Sequence, residues 1–249
     1  MSLPSPDQRL AMRQRPTQTC VMRQTWAHLL FLHWRFPVAL VQRTLPLGLT
    51  VDAFEGAAWL GVVPFFMRKV RPRGLPGIPG LLDFLELNVR TYVHDEAGRP
   101  GVWFYSLDCN QSLAVRMARA LFHLPYEHAT MSANTREDGT IEYDARRRGQ
   151  GSEARFVYPT PARGTEVELG SLEFFLIERY ALFAHAPRSG QLFSGRVFHR
   201  PYQVSSLSVP TWSDLPLRQA GFDSDGRPPD HQCAAAPVDV EIFGLKRVV

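Results

Sequence analysis

Two runs of alternating residues with a polar turn between them constrain this chain more than any other feature. Phe84 to Val93 and Gly101 to Leu107 flank His94-Asp95-Glu96-Ala97-Gly98-Arg99-Pro100, and paired strand-length runs around turn residues predict an antiparallel hairpin. Side chains alternate along a strand, so Phe84, Glu86, Asn88, Arg90 and Tyr92 share one face, and Leu85, Leu87, Val89, Thr91 and Val93 share the other. The second set is an ordinary core face. The first set faces either water or an enclosed polar cavity, and periodicity leaves both readings open.

The rest of the chain is built mostly of short strands. Val51 to Val63 reads as one strand or a bulged pair broken at Gly56 and Gly61. Ala129 to Ala133 and Thr140 to Ala145 enclose Arg136-Glu137-Asp138-Gly139, a second hairpin signal, and Ala154 to Tyr158, Leu192 to His199, Tyr202 to Val209 and Val238 to Phe243 read as further strands. Helical spacing occurs in Ser112 to Phe122 and in Ser171 to Ala184, and Thr25 is placed to cap a shorter helix through Leu32, with extended chain after Pro37. Arg68 to Gly80 is rich in Pro and Gly and reads as a connecting loop or a lid. About eight to ten strands with two principal helices predict an α+β fold, predominantly β, arranged as a barrel or sandwich.

The 249 residues, 45% of them hydrophobic, suffice for one large core, so residues 21–249 are expected to form a single domain behind a loose tail of residues 1–20 that carries Arg9, Arg13 and Arg15. A net charge of +4 is too small for phosphate neutralisation, which argues against a nucleic-acid partner. The most apolar stretch, Leu29 to Val41, is interrupted by His33, Arg35 and Pro37 and falls short of the roughly 20 residues a bilayer span needs, so no membrane partner is expected. Cys20, Cys109 and Cys233 are odd in number and lack CxxC spacing, which predicts no disulfide or zinc site and suits a reducing cytoplasm.

Cofactor motifs are missing from the sequence. GxxxxGK[ST], GxGxxG and GxSxG do not occur, and His123, Glu127 and His128 do not make HExxH, so neither a nucleotide cofactor nor a metal is expected. Arg146-Arg147-Arg148 reads as a solvated strand edge. Of 28 basic residues only Lys69 and Lys246 are lysines, which limits amine nucleophiles to two.

The hairpin itself carries a resemblance. Phe84-Leu-Glu-Leu-Asn-Val-Arg-Thr-Tyr-Val93, Pro100-Gly-Val-Trp-Phe-Tyr-Ser-Leu-Asp108, Ala118-Arg119 and Leu124-Pro125-Tyr126 resemble the YqjF-like proteins of unknown function. So do His33-Trp34-Arg35-Phe36-Pro37-Val38, Trp59 to Phe65, Leu172-Glu173, Glu178-Arg179-Tyr180 and His199-Arg200-Pro201, and the match runs in order over residues 22–209. That family is similar in fold to acetoacetate decarboxylase, an incomplete β-barrel or cone with flanking helices around a buried polar cavity. The resemblance therefore implies an inward-facing Glu86, Asn88 and Arg90.

Acetoacetate decarboxylase forms a Schiff base on a lysine that follows a Pro after the barrel helix, beside a second lysine that depresses its pKa. Matching Arg119 and Pro125 to that pattern puts Tyr126 and Glu127 at the paired-lysine positions, and neither side chain forms an imine. Glu86 falls on the position of an active-site glutamate in that enzyme. The implied site has Glu86 as the proton-transfer group and Asn88, Arg90, Tyr92, Arg119 and Tyr126 as substrate-binding groups, suited to a small polar or anionic metabolite and to lysine-independent enolisation, hydration or dehydration. The alternatives are an ion-pair network of Glu86, Arg90 and Arg119 that stabilises the interior, and a non-catalytic sensor or homo-oligomerising scaffold that retains the pocket.

Overall fold

The computed structural model describes residues 3–74, 82–161, 164–187 and 189–248. The chain begins with α1 (Pro6–Ala11) and passes through β1 (Cys20–Ala27), β2 (Leu29–Phe36), α2 (Val38–Gln42), β3 (Leu49–Val51) and the long β4 (Ala58–Pro72). The expected hairpin follows as β5 (Phe84–Asp95) and β6 (Pro100–Cys109), then α3 (Ser112–Phe122), β7 (Tyr126–Thr135), β8 (Thr140–Arg147), β9 (Ala154–Pro159), β10 (Thr165–Glu166) and α4 (Leu172–Ile177). The remainder holds β11 (Ala181–Ala186), β12 (Gln191–Phe198), β13 (Gln203–Ser206), α5 (Leu215–Gln219), β14 (His231–Ala235), β15 (Val238–Phe243) and β16 (Lys246–Arg247).

β4, β5 and β6 pair antiparallel in sequence, and β1, β15, β12 and β11 continue the sheet from the other edge of β4 around toward β6. The circuit is a ring of strands, not a closed barrel: β6 and β11 meet through Leu182 with Val102 and Phe183 with Trp103, and β12 meets β15 through Val197 with Ile242 and Phe198 with Glu241. β2, β14 and β13 extend the sheet from β4, while β7, β8 and β9 form an antiparallel meander outside the ring.

Both faces of β5 are covered, which settles the choice that alternation left open. Leu85, Leu87 and Val89 pack outward with Leu30, Leu32, Trp34, Tyr143, Phe156 and Tyr158 into the core shared with the meander. Inside the ring, Phe31, Trp59, Val63, Phe65, Tyr92 and Phe175 form a second core. Tyr143 of β8 reaches across and donates its hydroxyl hydrogen to the Glu86 carbonyl at 2.8 Å, fixing the meander to the strand that carries the polar row.

Four sequence expectations fail here, each for a local reason. Thr25 to Leu32 is not a helix but the end of β1 and the start of β2, turned at His28 with φ 52°. β4 is long enough to pair β2 along Ala58 to Val62 and β1 along Phe66 to Pro72, and β2 is apolar on both buried faces, a pattern that a buried helix shares. After Pro37 the chain turns into the short α2, because proline suits the start of a helix as well as the end of one. The Ser171 to Ala184 helix stops at Ile177: Ser171 caps it as expected, but Tyr180, Phe183 and Ala184 are buried in and beside β11, paired with β12. Of the loop expected from Arg68 to Gly80, the part through Pro72 belongs to β4, and residues 75–81 lie outside the described residues.

The segment before residue 21, expected as a loose tail, carries α1 with a capping box between Ser5 and Gln8. Its arginines anchor it: Arg9 to Asp52, Arg13 to Glu178 and Arg15 to Glu241. No described helix is long and apolar enough to cross a membrane.

Candidate functional site

The inner face of the sheet is a set of cross-strand rows. Phe65, Glu86 and Cys109 are register partners across β4, β5 and β6; Val63, Asn88 and Leu107 form the next row, and Gly61, Arg90 and Phe104 the one after. A bulge on β6 shifts the register between Val89 and Arg90, which bends the strand around the interior. The rows border a cavity of about 290 Å³, with Glu86, Arg90, Arg179, Gln24 and Tyr126 set among Met22, Trp26, Met67, Phe104 and other apolar groups. α3 lays Ala114, Met117, Ala118 and Leu121 along one side. The chamber is thus mainly apolar with a few polar groups, rather than the polar cavity that the sequence suggested.

Glu86 is 3% exposed, and Tyr126 donates its phenolic hydrogen to Glu86 Oε2 at 2.7 Å. Burial raises the Glu86 pKa to about 7, against the lowering effect of hydrogen bonds from Tyr126 and Asn88. Burial, joined by the Glu86 charge, raises Tyr126 well above the ordinary phenol value, so the phenol remains the donor. Tyr126 reaches this position because α3 ends at His123 in the left-handed region, φ 51°, and Pro125 then leads the chain into β7 beside Leu107. Among the described residues Glu86 makes no ion pair with Arg90 or any other cation.

Asn88 is buried beside Glu86, and its Oδ1 has no hydrogen-bond partner among the described residues. Arg90 lies over the rings of Phe31 and Tyr92 at 5.3 and 5.6 Å from their centroids; Nη2 donates to the Leu176 carbonyl at 3.3 Å and Nε is buried without a partner. Tyr92 is fully buried behind this wall, with its hydroxyl 2.7 Å from His33 Nε2. Arg119 does not join them. Its side chain is 46% exposed on α3, donating from Nε to the Tyr126 carbonyl at 2.6 Å and from Nη2 to Glu127 at 3.0 Å, so it steadies the turn that delivers Tyr126. The alternative of a Glu86, Arg90 and Arg119 ion-pair network is not met among the described residues: Arg119 pairs with Glu127, and Glu86 makes no ion pair with Arg90.

The family model DUF2071, described as an uncharacterized conserved protein, matches residues 23–239. The chain belongs to the DUF2071 family. It is 37% identical over 205 residues to the uncharacterized protein YqjF of Bacillus subtilis strain 168, covering 80% of this chain and 83% of YqjF. Among solved structures it is similar to the enduracididine biosynthesis enzyme MppR complexed with the condensation product of pyruvate and imidazole 4-carboxaldehyde, with TM-score 0.64 and 14% identity over 95% of this chain and 90% of that one. An acetoacetate decarboxylase-like enzyme from Sphingomonas wittichii RW1 gives TM-score 0.63 at 15% identity, over 92% and 94%. Acetoacetate decarboxylase from Legionella pneumophila gives 0.63 at 13% identity, over 100% and 93%. The acetoacetate decarboxylase-like fold is thereby shown.

Neither lysine of this DUF2071 chain reaches the cavity. Lys69 is exposed near the end of β4 and Lys246 is exposed on β16. The cavity wall holds instead a guanidinium that sequence reasoning did not assign to the site. Arg179, just beyond α4, stacks on Phe175 at 4.3 Å and Tyr92 at 4.9 Å, donates from Nε to the Phe175 carbonyl at 2.6 Å, and donates from Nη1 to Asp52 at 2.7 Å. Burial alone would raise the Asp52 carboxyl, but Arg179 and Arg9 on either side hold it below its ordinary value. Arg179 was legible as part of Glu178-Arg179-Tyr180; reading that segment as helix hid the direction of its side chain.

Proposed function

We propose that this protein binds a small organic anion with an apolar body in the cavity, and that Glu86 exchanges a proton with it. The observation that carries the reading is a cavity-lining carboxyl with no cationic partner among the described residues, held by a phenol at 2.7 Å and titrating near neutrality. Such a group is present in both protonation states around pH 7, the condition for general acid–base work. Arg90 lines the cavity and supplies positive charge for a carboxylate or enolate oxygen, while the surrounding apolar groups favour a ligand with a hydrocarbon or aryl body. Enolisation, hydration and dehydration each fit this set, because they need proton transfer and anion stabilisation but no imine. The fold holds small acids elsewhere: MppR has been solved with pyruvate.

The test is calorimetric titration of the full chain with small keto acids, enols and lactones. Saturable binding is expected with wild type and loss of binding with Arg90→Met, which keeps an unbranched side chain and removes the guanidinium. Equal heats from both proteins for every compound would remove the site. Where a compound binds, NMR detection of solvent deuterium entering it only in the presence of wild type, and not Glu86→Gln, supports catalysis; binding without exchange assigns the cavity to a sensor.

A further inference from the structure

Behind the cavity wall, four titratable side chains from four elements stand in one line. Glu173 lies in the first turn of α4, His231 on β14, His33 on β2 and Tyr92 on β5. His231 and His33 are register partners, and His33 is in turn the partner of Gly61 on β4. A Cβ at residue 61 would lie 3.1 Å from His33 Cδ2 and 3.4 Å from Tyr92 Oη, so glycine leaves the space in which the imidazole meets the phenol. The line runs from Tyr92 Oη to His33 Nε2 at 2.7 Å, from His33 Nδ1 to His231 Nδ1 at 3.0 Å, and from His231 Nε2 to Glu173 Oε1 at 3.7 Å. Tyr92 and His33 are fully buried, whereas the Glu173 side chain is 39% exposed.

The hydrogens can be placed by counting. Two imidazole Nδ1 atoms at hydrogen-bond distance share one hydrogen. If His231 donated it, His231 Nε2 would be bare and would turn a lone pair toward the Glu173 carboxylate. The opposite order leaves no lone pair turned toward the carboxylate: Tyr92 donates to His33 Nε2, His33 Nδ1–H donates to His231 Nδ1, and His231 Nε2–H faces Glu173 across 3.7 Å. Burial, together with the nearness of His231 and Arg90, keeps His33 well below the ordinary histidine pKa, consistent with a neutral ring. Other groups near the line are Arg90 and Arg179, each over the Tyr92 ring, and the buried Cys233 on β14.

We propose that Glu173, His231, His33 and Tyr92 form a proton path between solvent and the arginine-bearing inner wall of the cavity. One outward transfer moves the phenol hydrogen to His33 Nε2, the His33 Nδ1 hydrogen to His231 Nδ1 and, when the part-exposed Glu173 side chain closes the 3.7 Å gap, the His231 Nε2 hydrogen to Glu173. It leaves a phenolate at Tyr92, two neutral imidazoles in the opposite tautomers and a carboxylic acid at the surface. The negative charge then sits beside Arg90 and Arg179, and the return transfer restores the starting state. The use of this path in turnover rests on the acid–base reading of the cavity given above; its existence does not.

The test is 15N NMR of the histidine-labelled full chain without ligand. The path requires Nδ1–H on His33, Nε2–H on His231 and a 15N–15N coupling across the Nδ1–H···Nδ1 hydrogen bond. Exchange of the His33 Nδ1 hydrogen with water is expected to slow by at least about ten-fold in Glu173→Gln, a half-exposed change that spares the core. Tyr92→Phe keeps the ring and, with Glu173 still holding Nε2–H on His231, is expected to leave Nδ1–H on His33. The opposite tautomers in wild type, or exchange unchanged in Glu173→Gln, would overturn the path. Ligand binding plays no part in this readout, so a failed titration with small acids counts against the cavity reading alone.

Discussion

Tyr126 donates its hydroxyl hydrogen to Glu86 across 2.7 Å, joining the first residue of β7 to the polar row of β5 inside the ring. The contact supplies a neutral donor to a carboxyl. Removing it in Tyr126→Phe takes away an interaction that lowers the Glu86 pKa, so the carboxyl is expected to titrate at still higher pH. The loss of one buried hydrogen bond is expected to cost about 1–2 kcal/mol in chemical denaturation. A Glu86 midpoint that falls in this variant would show that the phenol does not act on the carboxylate form.

Glu86 also sets a pH dependence of stability. Its folded pKa, about 7, lies above the ordinary 4.5, so the native state binds the proton more tightly than the unfolded state does. Stability from this group is present below pH 4.5 and is lost as pH rises toward 7. At about 1.4 kcal/mol per pKa unit the loss is on the order of 3 kcal/mol. Glu86→Gln is expected to flatten the fall in Tm between those two pH values. Parallel Tm profiles for the two proteins would contradict it.

Asp52 has the opposite sign. Its carboxyl is held below the ordinary value by Arg179 and Arg9, so its stabilisation is full above about pH 4 and disappears as pH falls through the folded value. Asp52→Ala leaves Arg179 buried without its carboxylate and is expected to cost about 3–5 kcal/mol, whereas Arg9→Gln, which leaves the Asp52–Arg179 pair intact, is expected to cost less. Urea midpoints of the two variants check the order.

Gly61→Ala places a methyl group 3.1 Å from the His33 ring. The surrounding groups are buried, so overpacking of about 1–3 kcal/mol is expected, with displacement of His33 from Tyr92. Denaturation together with the His33 NMR signals would register both effects; wild-type values for each would mean that the ring yields freely.

The absence of lysine from the cavity predicts that borohydride reduction with a small keto acid leaves the mass of the protein unchanged. Intact-protein mass spectrometry reads this directly, and a stoichiometric adduct on Lys69 or Lys246 would restore imine chemistry as an option.

The sequence told most where one physical signal acted alone. Alternation and turn chemistry placed β5, β6 and the β7–β8 hairpin, and α3 fell on its expected residues because one apolar stripe and a following proline bound it. β2 and β11 misled because strands buried on both faces lose the period of two, leaving apolar runs that fit helical spacing equally well. Glu86, Asn88 and Arg90 were legible as one face of a strand, but only the family resemblance pointed that face inward. The His33–His231 contact was not legible, since it depends on strands brought together only by the sheet order; Arg179 stood in the Glu178-Arg179-Tyr180 motif, but a helical reading hid its direction, and Arg119 was misplaced because motif position does not say which side of α3 faces the cavity.

The most direct measurement is a 13C NMR titration of the Glu86 carboxyl in the full chain, with its signal assigned by loss in Glu86→Gln. A midpoint near pH 7 is the predicted result. A midpoint near 4.5, the value of a solvated glutamate, would contradict the account of an enclosed carboxyl free of cationic partners.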